Sequence, residues 1–183
     1  MPVLADLASS GRVPRQTIVA AVAQFLTGVL EPTATLIAGM LDSVHRFPQV
    51  QERLAAGHLP LDDVVEEALR HDPPFHYAPR TAAESFQRYG VQVEAGSRVV
   101  IILASANRDE SIWESAEQFN PMRARRRHLT FGLGSHSCLG AAVARYQARA
   151  VLEAAIQLQV VPRLGLLKRV PSIGGTRFEY APE

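Results

Sequence analysis

Cys138 is the only cysteine in this chain of 183 residues, and it lies in the decapeptide Phe131-Gly-Leu-Gly-Ser-His-Ser-Cys-Leu-Gly140. A disulfide within the chain is therefore impossible. The cysteine follows a turn carrying Gly132 and Gly134 and directly precedes a helix-like run, Leu139 to Leu158. Helix N-terminal amides favour negative charge, so a thiol placed there is suited to act as a thiolate. Glycines lack a Cβ and let the backbone approach something flat. Gly140, Ala141, Ala142 and Ala144 continue this as a small-residue face. A large planar ligand beside a thiolate accounts for all of it: haem with a cysteine axial ligand. Blander chemistry uses the same residues. A lone cysteine commonly serves as a small buried hydrophobe, and a cysteine nucleophile could pair with His128 or His136. A zinc site wants Cys-x-x-Cys or His-x-x-x-His companions, and none is present.

The decapeptide resembles the haem-binding signature of the cytochromes P450, Phe-x-x-Gly-x-(His/Arg)-x-Cys-x-Gly, and matches every fixed position. The resemblance implies that Cys138 ligates the iron of haem b. It implies that Phe131, Gly132 and Gly140 shape the loop around the sulfur, and that His128, His136 and Arg80 contact the haem propionates. A guanidinium suits that last task, being always charged and offering a planar fork to a carboxylate.

The other elements must place this loop. Thr17 to Leu41 is the most apolar segment, and its apolar residues cover most of a helix's circumference, which predicts a central core helix. A membrane span is the weaker alternative, because Gln24, Glu31 and Pro32 interrupt the run. Pro32 removes a backbone hydrogen bond and is expected to open the helix. By resemblance this helix crosses the distal haem face, with Glu31 as the acid that assists proton delivery. Pro32 then occupies the position of the usual oxygen-activating threonine, with Thr33 next to it; a one-residue slip would bring Thr33 nearer that role. Proline offers neither a hydroxyl nor an amide hydrogen.

Pro48 to Ala56 reads as a short helix ended by Gly57, and Pro60 to His71 as another with Asp62 and Asp63 in its first turn. The second holds Glu67-Ala-Leu-Arg70, a pair three apart and so on one face. Alone that is an ordinary helix ion pair; beside the cysteine motif it resembles the family's structural Glu-x-x-Arg. Asp72-Pro73-Pro74 stops the helix. A strand-like region begins at Arg80, and Val91 to Ile102 alternates around Ala95-Gly96, which predicts a hairpin. Ala106-Asn107-Arg108-Asp109 and Phe119-Asn120-Pro121 resemble the family's meander, with Arg108 expected to partner the Glu67–Arg70 pair or its neighbours. Gln159 to Val161 is expected as a short strand, and Pro171 to Tyr180 as an irregular, partly extended end.

Hydrophobic content of 47%, charged content of 20% and a formal net charge of +1 are those of a soluble globular domain and give no global basis for binding nucleic acid. A single cysteine fits a reducing compartment. The N-terminus lacks a basic region leading into a long apolar core, which argues against a signal peptide and for a cytoplasmic protein. Arg123, Arg125, Arg126 and Arg127 form a run beside the cysteine loop, where an acidic ferredoxin-type partner would dock. The whole reads as mainly α with a small β region, residues 1–183 forming a single partial domain. It resembles the C-terminal half of a soluble bacterial cytochrome P450: central long helix, Glu-x-x-Arg helix, meander, cysteine-ligand loop and following helix. The N-terminal half of that fold is not in the sequence. The implied activity is insertion of one oxygen atom from O2 into a small organic substrate of secondary metabolism. Electrons would come from NAD(P)H through a ferredoxin and its reductase. Alternatives are a truncated, non-catalytic haem-binding remnant, or half of a split enzyme.

Overall fold

In a computed structural model, the structure describes residues 2–124, 126–160, 167–171 and 175–180. Helices α1 (Pro2–Ser9), α2 (Arg15–Arg46), α3 (Pro48–Ala55) and α4 (Leu61–His71) come first. Strands β1 (Tyr77–Thr81), β2 (Phe86–Arg88), β3 (Val91–Val93) and β4 (Arg98–Ile102) follow, then the short helix α5 (Leu103–Ala106). After the meander come helix α6 (Ala141–Gln157) and strands β5 (Leu167–Pro171) and β6 (Thr176–Tyr180).

The core is where α2, α4 and α6 meet. Leu36, Met40 and Val44 of α2 pack with Val64, Val65, Ala68 and Leu69 of α4 and with Ala148, Leu152 and Ala155 of α6. On α4 these apolar positions fall on one stripe, with Asp62 and Asp63 in the first turn and Arg70 and His71 in the last, each sign suiting its end of the helix dipole.

Two expectations for α2 are corrected. Pro32 does not open the helix, which runs unbroken through it; one missing amide removes one hydrogen bond and the turns on either side continue. Nor is the helix buried all round. Its buried residues are Leu36, Gly39, Met40, Asp42, Ser43 and Val44, whereas Phe25 is 68% and Leu30 is 67% exposed. Its apolar surface exceeds what α4 and α6 cover.

The strand pairing also departs from expectation. Val91–Val93 pairs with Phe86–Arg88 across Tyr89-Gly90, and Arg98–Ile102 pairs antiparallel with Tyr77–Thr81. Tyr89 and Gly90 both have positive φ (51° and 76°), the backbone of a tight two-residue hairpin turn. Ala95-Gly96 only redirects the chain between β3 and β4. The expected irregular end is an antiparallel pair, Leu167–Pro171 with Thr176–Tyr180. Arg169 on β5 anchors that pair: its Nε lies 2.9 Å from Asp42 Oδ2, and its Nη2 donates to Asp72 Oδ2. Gln159 and Val160 lie in a turn and its exit rather than in a strand; Val161 falls outside the described residues.

Candidate active site

Gly132 and Gly134 have φ of +68° and +75°, so both occupy backbone conformations that disfavour any side chain. The turn they make brings the chain back on itself: the Cys138 amide donates to the Phe131 carbonyl at 2.8 Å, and the Gly132 amide to Leu129 at 2.8 Å. Gly134–His136 forms one 3-10 turn inside the loop. Cys138 is exposed, two residues before the Gly140 cap of α6. A Cβ at Gly140 would rest 3.9 Å from the sulfur. His136 and Leu139 are exposed beside it.

On α4, Arg70 is a fully saturated polar group. Arg70 is 1% exposed, and each of its five N–H donors has an acceptor. Nε and Nη2 reach the two Glu67 carboxylate oxygens at 2.9 and 2.7 Å. Nη1 donates to the carbonyls of Asn107 (3.0 Å) and Ala116 (2.7 Å), and Nη2 to Gln118 (3.0 Å). Trp113 covers the guanidinium, its ring centroid 5.5 Å away. One helical turn thus gathers a meander that has little regular structure of its own.

Arg108 meets a neighbour of the Glu67–Arg70 pair and not the pair itself. Arg108 binds the carbonyl of His71, a neighbour of Arg70, at 2.9 Å through Nε, and the Glu117 carboxylate at 3.0 Å. It does not touch Glu67. Arg123 does, at 3.5 Å, while its other donors meet the carbonyls of Glu114, Ser115 and Gln118. Arg123 therefore leaves the outward-facing run, and Arg126 donates to Ile112 O; Arg125 lies outside the described residues. Asn107 was not anticipated. It is 1% exposed and spans α4's partner loop to the cysteine loop, accepting from the Leu129 amide at 2.7 Å and donating to Thr130 Oγ1 at 3.0 Å.

His128 is also placed differently from expectation. It is buried; its Nδ1 accepts from the Thr130 amide at 3.3 Å, so Nε2 carries the proton that it gives to Glu66 Oε2 at 3.2 Å. Both ring nitrogens are engaged, and no donor remains for a haem carboxylate. Arg80 and His136 stay exposed. Arg80 gives one donor to the Pro79 carbonyl and, among the described residues, has no acidic partner. On α2, Glu31 is exposed, and Pro32 and Thr33 are half-buried.

Two titratable groups near the site are perturbed. Burial pushes Glu66 upward, but hydrogen bonds from His128 and Arg145, together with the Arg145 charge, outweigh it and hold the carboxyl down to about 2. Burial lowers His71, helped by the charges of Arg108 and Arg70 and partly opposed by its bond to the Glu117 carbonyl. Both folded values lie below the unfolded ones, so both contributions are present at neutral pH and lost on acidification. Stability should fall once as pH drops below 6.5, the ordinary histidine value, and again between 4.5 and about 2. Urea midpoints measured against pH should show both limbs, and Glu66→Gln should flatten only the lower one.

The architecture is a helix-rich fold with small antiparallel sheets that presents one thiol on a glycine turn at the start of a helix. The particular family follows from comparison with known proteins. The sequence profile described as Cytochrome P450 matches residues 5–158, and the chain belongs to that family. It is 33% identical over 150 residues to the biotin biosynthesis cytochrome P450 of Bacillus subtilis, covering 82% of this chain and 35% of that protein. It is 38% identical over 123 residues to cytochrome P450 119 of Sulfolobus acidocaldarius, covering 67% of this chain and 33% of that one. Its backbone matches the crystal structure of CYP164A2 of Mycobacterium smegmatis with econazole bound, at a TM-score of 0.86 and 29% identity, over 98% of this chain and 46% of that one. The chain spans about a third of the length of these curated relatives. The family's cofactor is haem b with an axial cysteine thiolate. The residues present fit it: one exposed thiol, a loop that glycine leaves open around the sulfur, and the exposed Arg80 guanidinium and His136 imidazole as donors for carboxylates.

Proposed function

We propose that this chain is the haem-ligating part of a monooxygenase that inserts one oxygen atom from O2 into a small organic substrate of secondary metabolism. The second oxygen atom leaves as water at the expense of electrons from NAD(P)H, delivered by a ferredoxin and its reductase. The observation that carries the reading is Cys138, the only thiol, exposed in its positive-φ glycine loop within a matched family segment. Haem held by a thiolate supplies electron density that favours O–O cleavage. The chain's own residues do the rest. Cys138 would hold the iron, while Arg80 and His136 would meet the propionates. Glu31 moves protons along α2, and Thr33 supplies the hydroxyl that Pro32 lacks. Arg126 and Arg127 steer an acidic electron donor. We place it in the cytoplasm because Gln24, Glu31 and Pro32 interrupt the apolar run of α2, the one described helix long and apolar enough to cross a membrane.

A second reading, one half of a split enzyme, is favoured by the exposed Phe25 and Leu30 on α2; a haem-binding remnant without activity is its limiting case. The absorption spectrum of the haem-loaded chain, reduced and exposed to carbon monoxide, separates them. A strongly red-shifted Soret band from this chain alone supports thiolate ligation by Cys138. A spectrum of histidine-ligated haem, or no uptake, rules out this chain as an enzyme on its own.

A further inference from the structure

Glu66 stands one residue before Glu67, and the reaction described above gives it no part. Consecutive helical residues point about 100° apart, so Glu67 faces the meander while Glu66 faces α6. There Arg145 binds it twice, Nε to Oε1 at 2.5 Å and Nη2 to Oε2 at 3.1 Å. The same carboxylate takes the His128 Nε2 proton at 3.2 Å. Both partners also contact one ring. The Arg145 guanidinium lies 4.6 Å from the Phe131 centroid, and the His128 ring lies 6.0 Å from it, tilted by 46°. Phe131 in turn accepts the Cys138 amide at 2.8 Å.

We infer that Glu66 is a positioning residue for the Cys138 loop: through Arg145 and His128, which both contact the Phe131 ring, it holds Phe131 in place, and Phe131 fixes the backbone of the cysteine. This deepens the haem-thiolate reading and rests on it for its consequence, since a loop free to shift presents the sulfur in more than one direction. Charge-assisted bonds are the strong ones, and Glu66 makes three in a half-buried setting where screening is reduced. None of its partners is near in sequence; His128 is 62 residues away and Arg145 is 79.

The neighbouring rung supplies the control. Asp62, one turn earlier on α4, pairs with Arg149, one turn later on α6, at 3.7 Å. That bridge also ties α4 to α6, but it is exposed and touches nothing in the loop. Losing it weakens the helix pair only.

The test compares Glu66→Gln, Arg145→Gln and Asp62→Asn with the wild-type chain. Amide exchange at Cys138 is followed in the haem-free chain, and the Soret band of the reduced carbon monoxide complex in the haem-loaded chain. Glu66→Gln and Arg145→Gln should each speed Cys138 exchange roughly tenfold, the scale of one lost charge-assisted hydrogen bond. Each should also move part of the Soret absorbance from the red-shifted to the short-wavelength position. Asp62→Asn should change neither. Exchange within about twofold of wild type in both loop variants, or an equal acceleration in Asp62→Asn, overturns the inference. A wild-type chain with no red-shifted band fails the haem-thiolate reading instead, and the exchange comparison still decides the role of Glu66. Should Glu66→Gln not fold, Arg145→Gln carries the same comparison.

Discussion

Replacing Arg70 with lysine should abolish cooperative folding of this chain, and with it haem uptake. Lysine has three donors on a point charge and cannot reproduce the fork that meets Glu67 and three meander carbonyls at once. Lysine's single nitrogen can stand in for only one of the three nitrogens that make these five bonds. What remains is a buried carboxylate with a misplaced partner and carbonyls without donors. Breaking a buried pair from one side destabilises by about 3–5 kcal/mol, and a domain of this size holds only about 5–15 kcal/mol in total. Arg123 at 3.5 Å and the Asn120 amide at 2.8 Å still support Glu67, which argues for a loosened chain with residual helix. Circular dichroism against temperature should show a broad transition shifted well below that of the wild type. A sharp transition within a few degrees of wild type would falsify the view that this cation organises the meander.

Cys138→Ser should do the reverse. The side chain is exposed and contributes nothing to the core, and its amide bond to Phe131 survives the change. Stability should stay within about 0.5 kcal/mol of wild type, as at other surface sites. The haem spectrum should change completely, because no other thiol exists to take the iron. Denaturation midpoints and the reduced carbon monoxide spectrum, taken on one preparation, read both effects. A retained red-shifted band in the serine variant would remove Cys138 as the ligand. The two substitutions separate the scaffold from the chemistry: Arg70 governs whether there is a site, and Cys138 governs what it binds.

Sequence reading reached those parts of the molecule whose meaning is local. The decapeptide around Cys138, the capping charges of α4 and the three-residue spacing of Glu67 and Arg70 all act within a turn or two, so their order in the chain carries their geometry. Partners fixed by tertiary folding were less accessible. Arg108 and Arg123 are both arginines in polar segments, and nothing in their spacing says that Arg123 reaches Glu67 from 56 residues away. The hairpin misreading has the same origin. Val91–Val93 and Arg98–Ile102 alternate as neighbouring strands should, yet the positive φ of Tyr89 and Gly90 closes the tighter hairpin on the other side of Val91. Asn107 could have been suspected, since an asparagine in a turn-rich segment often bonds backbone amides. Glu66 gave no signal beyond being one more acid on a helix.

Helix α2 is a single element in shape and two in durability. After Pro32 its side chains are locked among α4 and α6. Before it they stand largely in solvent, and Pro32 supplies no amide to the Gly28 carbonyl four residues back. A helix without packing is only marginally stable in water, so the segment from Arg15 to Glu31 can fray without disturbing the rest. Thr33 sits at the boundary, with its backbone anchored on one side and free to loosen on the other. Any proton path that runs through Glu31 therefore crosses from a yielding stretch of chain into a rigid one, and local unfolding of the first half would break it while Cys138 and its loop remained in place.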